Sequence, residues 1–177
     1  MKVRPLDEIE VFTHRFEAAD GVPNNPTLPL VAMRGALGAD TGPIELKRIL
    51  GGNGWGGMWQ WKIFPYHHYH PNAHEVLACV SGAAEVMLGG PAGRRFSVMK
   101  RDVLILPAGL GHCQIEASPD FSVCGAYPHG QERYITLRAE EIPLDEAADR
   151  IACVEAPASD PIYGASGPLV GAWGLGI

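Results

Sequence analysis

The chain predicts a mainly β fold, a sandwich or barrel of short strands with one or two helices on its outside. Two observations carry that expectation. The 177 residues include 22 Gly and 15 Pro, which demands many turns. Apolar runs of strand length recur between those turn residues, and short strands at such spacing characterise sandwiches and barrels.

The elements follow in order. Residues 9–17, Ile-Glu-Val-Phe-Thr-His-Arg-Phe-Glu, partly alternate and predict a strand. Residues 21–29 hold three prolines and two asparagines, so they predict an ordered arm or loop that cannot be a central strand. Residues 41–50 predict a helix. Pro43 suits its first turn, Leu46, Ile49 and Leu50 form an apolar stripe, and Gly51-Gly52 stop it. Met58–Phe64 predicts a strand leading into a histidine-rich run. Val76–Val80 and Ala84–Leu88 flank Ser81-Gly82 as a hairpin. Gly89-Gly90-Pro91-Ala92-Gly93 is a turn and no phosphate loop, because it lacks the Lys-Ser/Thr pair and a following helix. Phe96–Met99, Val103–Leu106, His112–Ala117 and Phe121–Ala126 complete the strands. Leu144, Ala147, Ala148 and Ile151 have helical spacing and predict a helix over 143–154. The Gly- and Pro-rich stretch 155–177 is expected to wrap the core or to support a homodimer.

The length suits one domain with its own core. The expected layout is a barrel core over about 55–130, an N-terminal arm over 1–54, and a C-terminal helix and tail over 131–177. Net charge −6 gives no encouragement to nucleic-acid or anionic-membrane binding. No apolar run is long enough for a bilayer span, and the first residues lack the apolar stretch of a signal peptide. The four cysteines show no CxxC spacing, so free thiols in a cytoplasmic protein are expected.

The chemistry concentrates in two segments. His68, His70 and Glu75 lie in His68-Tyr69-His70-Pro71-Asn72-Ala73-His74-Glu75, and His112 follows Pro107-Ala108-Gly109-Leu110-Gly111. Three imidazoles and a carboxylate are a ligand set for one divalent transition metal. Two histidines one residue apart share a face of an extended segment, so both can grip one ion. Neutral imidazoles with one carboxylate around a dication leave a net charge of +1. Four protein ligands nearly close a tetrahedral ion but leave two positions on an octahedral one, which favours Fe, Mn, Ni or Co, with Zn still compatible.

These residues resemble a family. His68-x-His70, four residues, Glu75, six residues and Gly82 resemble the first cupin motif. Pro107-x-Gly109, two residues and His112 resemble the second. The resemblance covers roughly residues 55–130 and implies a double-stranded β-helix, or jelly roll, with the metal near its mouth. It implies His68, His70, Glu75 and His112 as the metal ligands. Lys62, Arg101 and Glu116 stand where the family motifs commonly have Gly, Gly and Asn. Pro23-Asn24-Asn25-Pro26, Gly89-Gly90-Pro91 and Gly125-Ala126-Tyr127-Pro128 narrow the resemblance to bacterial cupins of the YjlB type, which implies a fold and a metal site but no particular reaction.

Several neighbours are weaker candidates. Three residues between the second His and the ligand would make His74 the ligand; four make it Glu75, whose charge offsets the dication. His74 then contacts substrate or orients a ligand. Gln114 and Glu116 share strand parity with His112 and are expected to point inward, Gln114 toward substrate and Glu116 as a general base. Tyr127 ends a strand near the expected mouth and is a candidate substrate contact. Trp59 and Trp61 share a face and line either the core or a pocket rim. The expected function is a small-molecule enzyme with one metal, first an oxygenase, then a metal-dependent isomerase or lyase. A metabolite-binding or sensor protein without turnover is the alternative from another class.

Overall fold

The computed structural model describes residues 2–175, so Gly176 and Ile177 of the expected tail lie outside the described residues. Among the described residues, nine strands form two antiparallel sheets. They are β1 (Glu10–His14), β2 (Leu30–Arg34), β3 (Trp55–Trp61), β4 (Glu75–Ser81), β5 (Ala83–Leu88), β6 (Arg94–Met99), β7 (Val103–Leu106), β8 (His112–Ala117) and β9 (Ser122–Pro128). One sheet has six strands in the order β1-β2-β7-β4-β9-β3, and the other has three in the order β6-β5-β8. The sheets face one another as in a jelly roll and do not close into a continuous barrel.

Burial explains the sequence pattern of each sheet. Leu30, Ala32, Leu77, Leu104 and Leu106 of the larger sheet meet Val86, Leu88, Phe96 and Val98 of the smaller in one apolar cluster. The opposite face of the larger sheet, through Val31, Met33, Val76, Ala78 and Ile105, is covered by Leu46, Leu50, Ile162, Leu169 and Trp173. Its central strands are therefore buried on both faces and read as unbroken apolar runs, as in Val103-Leu104-Ile105-Leu106. The smaller sheet is solvated on one face, so β5 and β6 alternate.

Three α-helices among the described residues supply the outer cover: α1 (Pro43–Gly52), α2 (Leu144–Ala152) and α3 (Pro168–Trp173). α1 and α2 match the two predicted helices. α3 lies in the expected wrapping tail and is capped by buried Asp160. The Asp160 carboxylate accepts from the backbone N–H groups of Ile162 (2.8 Å), Tyr163 (3.0 Å) and Leu169 (3.1 Å). No helix of the described residues is long and apolar enough to cross a membrane.

The N-terminal stretch differs from the expected external arm. β1 and β2 enter the six-stranded sheet, with β2 paired to β7 through Val31↔Ile105, Ala32↔Leu104 and Met33↔Val103. The short run 30–33 follows three prolines, and its partner lies some seventy residues on, so no local signal announces it. The Pro-Asn-Asn-Pro segment before it is irregular, as expected, but buried. Asn24 accepts from Gly111 N–H at 3.0 Å and donates to the carbonyls of Glu17 (2.7 Å) and Gly89 (3.1 Å). Asn25 donates to Ala108 O at 3.0 Å. These amides tie the N-terminal segment to the loop that delivers His112.

Candidate metal centre

His68 and His112 are brought together by the backbone. Each donates its N–H to the other's carbonyl, at 3.2 Å from His68 and 2.9 Å from His112, so the two residues sit opposite one another in an antiparallel bridge. His70 has the same parity as His68, and one ring nitrogen of each of the three histidines lies within 4.8 Å of the other two. All three are buried.

Their orientation is set by carbonyls. Nδ1 of His68 lies 3.0 Å from Tyr66 O, Nδ1 of His70 2.8 Å from Ile135 O, and Nδ1 of His112 3.0 Å from Leu110 O. A carbonyl only accepts, so each Nδ1 carries a hydrogen and each Nε2 is the atom turned toward the other rings, the one that would present a lone pair to a bound ion. Burial, reinforced by neighbouring His112, lowers His68 to about 2 and keeps it neutral. That is the tautomer a metal-ligating histidine needs, with the other nitrogen fixed by an outer partner.

Glu75 opens β4 with the parity of Leu77 and Cys79, residues of the core between the sheets, so it faces the same space. Its Oε2 lies 3.4 Å from His70 Nε2 and 3.3 Å from His112 Nε2. Its Oε1 accepts the Tyr127 hydroxyl at 2.8 Å, and the Tyr127 oxygen accepts from Trp59 Nε1 at 2.7 Å. Burial favours a neutral Glu75 carboxyl, but His70 and His112 overcome it and hold the pKa well below the usual carboxylate range. Burial likewise opposes charge on His70, and Glu75 reverses it and raises that pKa. Tyr127 is pushed well above its ordinary value, by burial first and then by Glu75, so it stays a donor.

A cation suits this arrangement. Three ring nitrogens converge beside a buried carboxylate whose Oε2, 3.4 Å and 3.3 Å from His70 and His112 Nε2, makes no hydrogen bond among the described residues. Such an atom is costly unless something positive meets it.

The centre forms the floor of a cavity of about 230 Å³. Its walls are Trp59, Ile63, Leu77 and Tyr127, and Trp61, Lys62, Phe64 and Tyr134 reach solvent. A β-bulge decides the presence of Trp59. The β3–β9 register shifts between Gly56 and Trp59, at Gly57 with φ +64°, so Trp59 stands opposite Gly125 on the inward face. There is no room for a side chain beneath it, since a Cβ on Gly125 would lie 2.2 Å from the Trp59 ring.

A second bulge overturns the inward expectation for Glu116. Strand β5 pairs Leu88↔His112 and Val86↔Gln114, then shifts to Glu85↔Glu116. The extra residue moves Glu116 to the solvent face, in a depression with Glu85 and Ser97 away from the histidines. Gln114 keeps the parity of His112 but does not line the cavity. His74 turns toward the C-terminal tail. Its Nδ1 accepts Ala108 N–H at 2.8 Å, its ring packs on Trp173 at 4.7 Å, and burial lowers its pKa to about 4. The four thiols are unpaired, and burial raises Cys79 to about 12 and Cys124 to about 11, which suits packing and not nucleophilic attack.

Phe64 and Tyr134 belong to the cavity and were not singled out from the sequence. Tyr134 stacks on Tyr127 at 4.2 Å and meets the His70 ring edge-on at 4.9 Å. Its segment is held by Asn72, which accepts from Ile135 N–H at 2.8 Å. An aromatic residue in a segment without periodicity is the only signal it offers.

This chain is similar to several known proteins. The family model described as Cupin matches residues 66–139. The uncharacterized protein YjlB of Bacillus subtilis (strain 168) is 40% identical over 166 residues, covering 94% of this chain and 98% of that one. Among solved structures, an uncharacterized conserved protein with a double-stranded beta-helix domain from Klebsiella pneumoniae is 15% identical. It covers 79% of this chain and 92% of that one, at a TM-score of 0.38. A duf861 family protein from Thermotoga maritima is 19% identical over 47% of this chain and 88% of its own, at a TM-score of 0.34.

Proposed function

This chain belongs to the cupin family, among the YjlB-type cupins, and from that membership we propose that it is a small-molecule enzyme. It holds one divalent transition metal between His68, His70, His112 and Glu75, and its reaction class is oxygenation. The observation that carries this reading is the buried histidine trio, oriented by backbone carbonyls, beside a Glu75 oxygen that makes no hydrogen bond among the described residues. A bound ion of variable valence supplies electron exchange with oxygen and a Lewis acid for a chelating substrate.

The residues of the chain then have separate tasks. The carbonyls of Tyr66, Ile135 and Leu110 fix the three rings, and Tyr127 holds one Glu75 oxygen so that the other faces the histidines. Trp59, Ile63 and Leu77 would keep water away from the centre when an ion is bound. Oxygenation is favoured over isomerisation by what the cavity lacks. Beyond Glu75 no carboxylate of the described residues lines it, and Glu116 faces solvent, so the carboxylate base that would most simply shuttle a substrate proton is not beside the histidines.

The test is metal analysis of freshly purified protein, followed by reconstitution with Fe(II), Mn, Ni or Zn and measurement of oxygen uptake over a panel of small chelating molecules. Oxygen uptake with Fe(II) and none with Zn is expected. Ala at His70 or His112 should abolish metal binding without changing the circular dichroism. A metabolite that binds tightly and returns unchanged with every ion would make this a binding or sensor protein, and an isomeric product would make it an isomerase.

A further inference from the structure

The cavity walls select a ligand shape. Trp61 is 70% exposed, Phe64 44% and Tyr134 39%, so three large rings stand in water around one mouth. Single exposed aromatics are ordinary, but a collar of them around a concave site marks a binding surface. Two of these rings are fixed relative to the centre. Phe64 meets the His68 ring edge-on at 5.1 Å, and Tyr134 meets His70 edge-on at 4.9 Å. Below them, Ile63 and Leu77 are buried and apolar. Polar groups therefore lie at the floor, and the walls above it are flat and apolar.

Size narrows the choice. The cavity of about 230 Å³ exceeds the ~150 Å³ that accommodates one benzene. It has space for one ring with small substituents next to the centre.

Charge narrows it again. Three neutral imidazoles and the Glu75 carboxylate leave a divalent ion with an excess of one positive charge. Lys62, at the mouth, is in no ion pair among the described residues, and Glu75 is the one carboxylate lining the cavity. An anion is what this field attracts.

We propose that the ligand of this cavity is a planar, anionic, single-ring molecule that presents two adjacent oxygen donors from one edge. The donors meet the ion at the histidines and Glu75, the ring lies between Phe64 and Tyr134, and Lys62 adds attraction at the mouth. This rests on the metal-centre reading above.

The experiment uses the full chain loaded with Zn, which avoids turnover, and calorimetric titration with two anionic oxygen chelators. Tropolone has a planar ring and acetohydroxamate has none. The ion content is measured before and after each titration. Phe64→Ala and Tyr134→Ala alter exposed side chains, so the acetohydroxamate affinity serves as the control for an intact centre. Each should weaken tropolone roughly 3- to 10-fold, the range expected for losing one aromatic contact, and leave acetohydroxamate within about 2-fold. Lys62→Met should weaken both anions. Equal effects of Phe64→Ala and Tyr134→Ala on the two chelators, or no effect on either, would overturn the ring assignment while the metal centre stands. Unchanged affinities in Lys62→Met would overturn the anionic assignment. Failure of the unliganded wild type to retain Zn would overturn the metal reading and this proposal with it.

Discussion

The Tyr127 hydroxyl donates to Glu75 Oε1 at 2.8 Å, and this bond determines which carboxylate oxygen faces the histidines. Removing the donor leaves a second buried oxygen unsatisfied and frees the carboxylate to rotate. Tyr127→Phe should therefore keep the fold and lower metal affinity about 10- to 100-fold, the usual effect of losing an outer partner of a ligand. Competition against a chelator of known affinity measures it, and wild-type affinity in the variant would reject this role for Tyr127.

Gly125 is the seat of the Trp59 ring. A methyl group there meets the indole at 2.2 Å, so Gly125→Ala must displace Trp59 from the bond it donates to Tyr127 at 2.7 Å. Urea denaturation should show a loss of about 1–3 kcal/mol, as for other overpacked sites. Gly125→Ala with Trp59→Ala should recover part of that loss, because the clash is gone.

Arg101 occupies a position where the family motif commonly has Gly, and its φ is +88°. Its Nε donates to Leu37 O at 2.8 Å, a bond that offsets some of the backbone strain. Arg101→Gly and Arg101→Ala both lose this bond, but only alanine keeps the strain. The glycine variant should be more stable than the alanine variant by about 1 kcal/mol, read from chemical denaturation midpoints. Equal stabilities would show that the turn relaxes.

Asp160 gives a pH signature in the tail. Burial raises its carboxyl above 3.8, against the three backbone N–H groups that favour the charged form. The folded state then binds a proton more readily than the unfolded state. The contribution of this group to stability is largest below the unfolded pKa and declines as pH rises through the raised folded value. The stability of the wild type relative to Asp160→Asn should therefore fall as pH increases from about 4. A difference that grows with pH would show that the N–H groups outweigh burial.

How much of this was legible varied with the range of the signal. The strand His112–Ala117 is legible at its observed bounds because flanking turn residues delimit it. β2 carries no local signal, because its partner β7 lies far along the chain and pairing of that kind leaves no local period. Prolines and asparagines in the Pro-Asn-Asn-Pro segment specify an ordered loop, but its clamp on Gly111 beside His112 exists only in the packed structure.

The sequence by itself pointed to His68, His70, Glu75 and His112 as a metal-type donor set through their residue types and their spacing within two short segments. It also determined a mainly β fold, through turn residues and apolar runs. Only the tertiary structure decided which neighbours serve that centre. The bulge at Gly57 turned Trp59 inward, and the bulge before Glu116 turned that carboxylate out. His74 went to Ala108 and Trp173, while Tyr134, from an irregular segment, came to stand on His70. The physical reason is the two-residue period of a strand. One inserted residue reverses every side chain beyond it, and where a bulge settles depends on cross-strand pairing that the linear chain does not display.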